Sequence, residues 1–358
     1  MDTESIGVRR LGSQQIAVPD SADPGAVVQR LGAVQAQDYL GALWAVGLRT
    51  VDATEQRVET ALAERRIVRT WPIRGTLHLV APADARWMLA LLTPRIAQRM
   101  QTRHRQLGLD SATFTASAHV LSAALAGGGQ LTRAALFARL AAAGIAPDGQ
   151  RGIHILGRLA QDGLLCFGAR AGKQPTFTLL EEWIPPTPAL PRGEALAALA
   201  LRYFTGHGPA TLHDLVWWSG LTTADARAGL AAVAEQLMHE TYGGERYYAG
   251  VGVSNGLANP GQVHLLPPFD EFLLGYRDRT AVLDPAHSQQ IVPGSNGIFN
   301  PIIVIAGRVV GTWKRTLTRN SVTVSVQPFV PLPPEQHAAV ASAAARYGYF
   351  LGVSATLS

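Results

Sequence analysis

Between Ser117 and Leu180 the hydrophobic positions change period twice. Apolar residues at helical spacing run from Ser117 to Ala126 and stop at Gly127-Gly128-Gly129. Thr132 then caps a second helical run, Arg133 to Ala143, closed by Gly144. A third runs from Ile153 to Asp162. Two short apolar stretches follow, Leu164 to Phe167 and Phe177 to Leu180, separated by a polar turn around Gly168 to Lys173. Three short helices followed by a two-stranded hairpin is the order of a winged helix, whose third helix enters the major groove.

The same order recurs. Glu194 to Phe204, His213 to Ser219 and Thr223 to Ala234, with Thr222 as cap, read as helices. Leu237 to Thr241 and Arg246 to Ala249 flank the hairpin signal Gly243-Gly244. At the start, Ala26 to about Gln35 and Thr54 to Glu64 read as helices, followed by Ile67 to Trp71 and Thr76 to Val80 as paired strands. Pro185 to Pro191 is a proline-rich linker. From about Gln262 the pattern becomes β-like: Val263 to Leu266, Ile302 to Ile305, Arg308 to Trp313 and Val322 to Val326. Ala306-Gly307 supplies a turn, and one helix runs from Pro334 to about Arg346 before a last short strand. The expected fold class is α+β, with three tandem winged-helix units and a small β-barrel-like domain at the C-terminal end. The expected boundaries are 1–108, 109–188, 189–258 and 259–358.

One stretch interrupts this patterning. Gln35, Gln37 and Asp38 place two amides and a carboxylate within four residues of an apolar run that continues into Gly41-Ala42-Leu43-Trp44. Polar groups set among buried positions require partners, so the cluster is either the wet face of an ordinary helix or a site. Residues at i and i+2 do not share a helix face. The two amides therefore converge only where the helix ends or distorts.

Composition narrows the chemistry. With 358 residues and 47% hydrophobic content, the chain suits several small packed domains. No apolar run reaches membrane-spanning length. The acidic start Met1-Asp2-Thr3-Glu4 does not read as a signal peptide, so the expected location is the cytoplasm, associated with the nucleoid. Cys166 is the only cysteine, which excludes an intramolecular disulfide and a cysteine-built zinc site. No HExxH or comparable ligand spacing occurs, so neither a metal nor a cofactor is expected. The net charge of +5 favours an acidic partner, and all but two of the basic side chains are arginine, the residue suited to phosphate.

The run from Gln35 to Asp38, then Leu43-Trp44, then Trp71-Pro72-Ile73-Arg74-Gly75-Thr76-Leu77-His78-Leu79, resembles the AlkZ/YcaQ family of tandem winged-helix DNA glycosylases. So do Pro268-Phe269-Asp270-Glu271 continuing to Arg279, and Val310 to Arg315. The resemblance covers nearly the full chain. It implies three winged helices and a C-terminal β-domain in a C-shaped molecule that removes alkylated bases from DNA. Its AlkZ-like branch carries Gln-x-Gln, as Gln35 and Gln37 do here, and is associated with unhooking interstrand crosslinks. The other branch carries Gln-x-Asp.

On that reading Gln35 and Gln37 orient a water by geometry. Asp38 either adds electrostatic stabilisation or points away. The lysines Lys173 and Lys314 are both remote in sequence from the glutamines, so the expectation is a monofunctional enzyme forming no Schiff base. Expected phosphate contacts are Arg69, Arg74, Arg151, Arg158, Lys314, Arg315 and Arg319. Gln290 and Asn296 lie in a segment expected to be either a hairpin reaching the minor groove, as the resemblance implies, or a surface loop. His78 and the pair Trp217-Trp218 read as structural, and Asp270, Glu271, Asp278 and Asp284 as salt-bridge partners of Arg277 and Arg279. The expected partner is duplex DNA carrying alkylated or crosslinked purines, bound by a monomer away from any membrane. Two other readings stay open: a non-catalytic DNA-binding protein, and a protein that sequesters a small drug-like molecule.

Overall fold

A computed structural model describes residues 3–252, 259, 261–295 and 297–358. The chain divides into two compact units, one of residues 1–59 with 196–358 and one of residues 60–195.

The 60–195 unit begins with a hairpin, Val68–Ile73 paired with Thr76–Val80. Its turn uses left-handed backbone at Arg74 (φ 52°) and Gly75 (φ 78°). The 25-residue helix Pro82–Gln106 follows, a segment to which the sequence patterning assigns no element. Pro82 sits at its first turn, where a missing N–H costs nothing. Then come Ser111–Leu125, Leu131–Thr132, Arg133–Ala142, Arg151–Gln161, Leu165–Phe167 and Thr176–Leu179. This is the expected order of three helices and two strands, with the short strand Leu131–Thr132 added and the first helix starting six residues before Ser117. Asp110 explains the earlier start: its carboxylate accepts the Thr113 N–H at 2.8 Å as an N-cap. The three strands order as 131–132, 176–179, 165–167, and Leu121, Leu136, Leu140, Ile155 and Leu165 are fully buried between them and the helices. Trp71 stacks on Phe167 with centroids 5.0 Å apart. Cys166, between Leu165 and Phe167 on its strand, is also fully buried, and burial pushes its thiol pKa up to about 12.

In the other unit, the helices Pro24–Leu31 and Tyr39–Gly47 flank the glutamine stretch. The expected helix from Ala26 to Gln35 is therefore corrected: it ends at Leu31. Gly32 takes φ 76°, its N–H returns to the Gln29 carbonyl at 3.1 Å, and the chain turns into an extended pair, Val34–Gln35. The helices Arg192–His207, Leu212–Ser219 and Thr223–Val233 follow, then the hairpin Leu237–Tyr242 with Glu245–Gly250. Thr211 and Asp214 form a reciprocal capping box, and Gly243-Gly244 (φ 58° and 81°) make the tight turn.

The last part of the chain forms a five-stranded half-barrel sheet in the order Ser354–Leu357, Ser321–Pro328, Arg308–Leu317, Ile302–Ile305, Val263–Leu266. Its first pair is parallel and the others antiparallel. The helix Pro334–Leu351 covers one face, burying Val340, Ala344, Tyr347 and Phe350. Of the hairpin and the surface loop held open for the segment from Gln289, the described residues 289–295 show no hairpin strands. Ser288–Ile291 is a helical turn, continued at Pro293–Ser295 after Val292, and Asn296 lies outside the described residues. No helix among the described residues is long and apolar enough to cross a membrane.

Candidate active site

Gln35 sits in the extended pair and is 7% exposed, whereas Gln37, two residues on, is exposed to solvent. The objection that two amides at i and i+2 diverge on a helix no longer applies, because the helix stops four residues earlier. Asp38 begins the next helix: its Oδ1 accepts the Gly41 N–H at 2.8 Å, and Nη2 of Arg315 lies 3.9 Å from the same oxygen. The carboxylate is held in place by the cap it makes, so its charge stays fixed one residue from Gln37.

This stretch rests on the segment from Leu265 to Glu271. The Gln35 N–H donates to Oε1 of Glu271 at 3.1 Å. A Cβ added at Gly41 would lie 3.3 Å from Pro268, so the glycine allows the two segments to approach. Trp44 donates its indole N–H to the Leu265 carbonyl at 2.7 Å, and Trp313 does the same to Leu266 at 2.8 Å. Trp44, Tyr347, Phe350 and Trp313 pack edge-on or tilted at centroid distances of 5.0 to 5.2 Å. Tyr347 is held protonated by burial, although the adjacent Arg315 opposes this. Phe269, half-buried between the two acidic residues and their proline, takes φ 60°, a conformation a bulky side chain adopts only where its surroundings enforce it.

The buried carboxylates have partners that the sequence did not suggest. Asp270 pairs with Arg49, not with Arg277 or Arg279. Arg279 donates Nε to the Leu273 carbonyl, and the Arg277 backbone N–H goes to Asp214. Asp270 also accepts the Phe272 N–H at 2.9 Å, so it needs a partner charge that can reach a helix N-terminus in the core. Glu271 receives Trp218 Nε1–H at 2.9 Å and lies 3.3 Å from His207 Nε2. Trp218 is therefore core, as expected, but Trp217 is 43% exposed. The signal that could have flagged this region is the pair of adjacent acids after a proline and an aromatic, in an otherwise apolar run.

The expected phosphate contacts fall into several environments. Lys314 and Arg319 are exposed, at the strand Arg308–Leu317 and the turn after it, and Gln290 is exposed on its helical turn. Arg315 lies between Asp38 and the Tyr347 hydroxyl, to which it donates, next to the glutamine stretch. In the 60–195 unit, Arg69 covers the Phe167 ring at 4.6 Å and Arg74 occupies the hairpin turn. Arg158 pairs with Asp162 at 2.8 Å. Arg151 donates to the carbonyls of Ala146 at 2.9 Å, Gly108 at 3.1 Å, and Leu107, tying together two interhelical turns. His78 is fully buried with Nδ1 3.0 Å from the Thr76 carbonyl. Among the described residues no group of three or more His, Cys, Asp or Glu side chains is arranged to hold a metal.

A family model described as DNA glycosylase AlkZ-like matches residues 28–350. A curated relative named interstrand DNA cross-link repair glycosylase, from Streptomyces sahachiroi, is 27% identical over 309 residues, 83% of this chain and 82% of the relative. The solved structure of the Streptomyces sahachiroi DNA glycosylase AlkZ superposes with a TM-score of 0.81 at 25% identity, covering all of both chains.

Proposed function

The chain belongs to the AlkZ-like DNA glycosylase family, and from that premise we propose that it hydrolyses the N-glycosidic bond of N-alkylated purines in DNA, including purines joined in an interstrand crosslink. The relative's name places that protein in crosslink repair. The observation that carries the proposal here is the mounting of Gln35, Gln37 and Asp38: they occupy a non-helical connection anchored to Glu271 and to the cap at Gly41.

An N7-alkylated purine already bears positive charge and leaves without a strong acid. What remains is to place water against the anomeric carbon and to tolerate positive charge on the sugar. The Gln35 and Gln37 side chains supply acceptor and donor groups that orient the water. The fixed Asp38 carboxylate faces the developing oxocarbenium charge, a preorganised electrostatic contribution. No amine nucleophile is assigned, so the product is an abasic site with the strand intact. The repeated helix and hairpin order supports three winged-helix segments that track the duplex, with Lys314, Arg315, Arg319 and Gln290 as DNA contacts of the sheet-bearing unit and Arg69, Arg74 and Arg158 as those of the 60–195 unit.

Single-turnover excision from an oligonucleotide carrying N7-methylguanine, with and without alkali, tests this. Alkali-dependent cleavage by wild type and its loss in Gln37→Ala are expected. If a nitrogen-mustard crosslink also fails to yield abasic sites, the protein binds DNA without catalysis. A borohydride-trapped adduct would overturn the monofunctional assignment.

A further inference from the structure

We propose that Glu271 is the positioning residue of this site: a buried carboxylate that holds the Gln35 backbone, and through it the water-orienting amide, in the geometry that the reaction needs. The inference rests on the glutamine reading above and adds a residue that the reading does not contain.

Glu271 is 1% exposed, and a carboxylate is rarely buried to that degree without a purpose. One oxygen takes the Gln35 N–H at 3.1 Å, and the other takes the Trp218 indole N–H at 2.9 Å with His207 Nε2 at 3.3 Å. Both carboxylate oxygens are therefore engaged by side-chain or backbone groups around them.

The carboxylate is also fixed from behind. The His207 carbonyl accepts the Tyr276 hydroxyl at 2.6 Å, and that hydroxyl accepts Gln14 Nε2–H at 3.0 Å. Gln14 in turn accepts from Arg49 at 2.8 Å, which grips Asp270, the residue before Glu271. The chain of bonds leaves Glu271 through His207 and returns to its neighbour. Burial keeps the Tyr276 phenol protonated and able to donate in it. Gln35 is thus attached to a closed, buried polar loop, while Gln37 faces solvent. A loop of buried, mutually hydrogen-bonded side chains is rigid, and rigidity is what a water-positioning amide requires.

Two substitutions separate reach from charge. Glu271→Gln keeps the length but offers one acceptor oxygen where two are used. Glu271→Asp keeps the charge but falls one methylene short of Gln35. Both are expected to lower the single-turnover excision rate at saturating protein by about 10- to 100-fold, to speed hydrogen exchange at the Gln35 amide, and to leave the Kd for undamaged duplex within about twofold. Asp214→Asn is the control, because Asp214 is equally buried at 2% exposure but accepts from Thr211 and Arg277. It should lower Tm and leave the rate unchanged below the melting range. Wild-type rates in both Glu271 variants, or the same loss in Asp214→Asn, overturn the inference. If Gln35→Ala and Gln37→Ala also retain full activity, the glutamine reading itself has failed. If those two are inactive while the Glu271 variants are not, only the present inference has.

Discussion

Arg49 and Asp270 form a two-pronged ion pair in the core, Nη2 to Oδ1 at 2.8 Å and Nη1 to Oδ2 at 2.9 Å, with side chains 0 and 1% exposed. Arg49 also donates to the carbonyls of Ala45 and Gln14, so its donors have partners besides the acid. Such a pair specifies an arrangement more than it adds net stability, and breaking it strands a buried charge. Asp270→Asn is expected to destabilise by about 3 to 5 kcal/mol, with a larger cost for Arg49→Ala, which also opens a cavity. Denaturant unfolding of the two single variants and Arg49→Met/Asp270→Leu checks this: the double apolar replacement should recover most of the loss.

Asp38 combines two roles that can be separated. Asn caps a helix about as well as Asp, so Asp38→Asn should hold Tm near wild type while removing the charge. Asp38→Ala should cost about 1 kcal/mol of stability as well. If the charge assists glycosidic cleavage, both variants slow excision to a similar degree although only one loses stability. Equal rates for Asp38→Asn and wild type would reduce Asp38 to a cap.

His264 gives the stability a pH dependence with a definite sign. Burial, then Arg346 and Arg49, lowers its pKa to about 4 from the usual 6.5. Between those values the unfolded chain binds a proton that the native state does not, so stability falls as pH drops from about 6.5 toward 4. The full effect is on the order of 3 kcal/mol. Thermal melts of wild type and His264→Gln from pH 7.5 to 4.5 should converge on acidification, the variant losing less.

The arginines expected at DNA should divide into two classes. Arg319 is exposed, so Arg319→Ala should weaken duplex binding uniformly and reduce the salt slope by about one. Arg151 already satisfies three carbonyls, so Arg151→Ala should lower the melting temperature and leave the salt slope unchanged. Affinity across a salt series, read beside calorimetry, distinguishes them.

Local signals made much of the fold legible. Thr132 and Thr222 cap the helices they were expected to cap, and Gly243-Gly244 and Ala306-Gly307 turn the expected hairpins. Elements without a polar face were harder to read. Tyr39–Gly47 is apolar all round because it is buried, so no stripe marks it, although Asp38 is a readable cap. The end of the preceding helix at Gly32 was also available in the sequence, since a glycine at that position stops a helix. What sequence could not offer is the partner of each buried charge. Asp270 lies 221 positions from Arg49, and near neighbours such as Arg277 carry the same charge.

The glutamines come early in the chain, yet much of what holds them comes late. Arg346 donates to the Leu48 carbonyl across 298 positions, and Tyr347 and Phe350 pack on Trp44. At a translation rate of about 5 to 20 residues per second, that interval lasts roughly 15 to 60 s. For that time a nascent chain carries the Gln-x-Gln motif without its support, so the site can assemble only after the final helix has left the ribosome. Synthesis order thereby leaves any amino-terminal fragment released prematurely with the Gln-x-Gln stretch but without the aromatic packing on Trp44 that backs it.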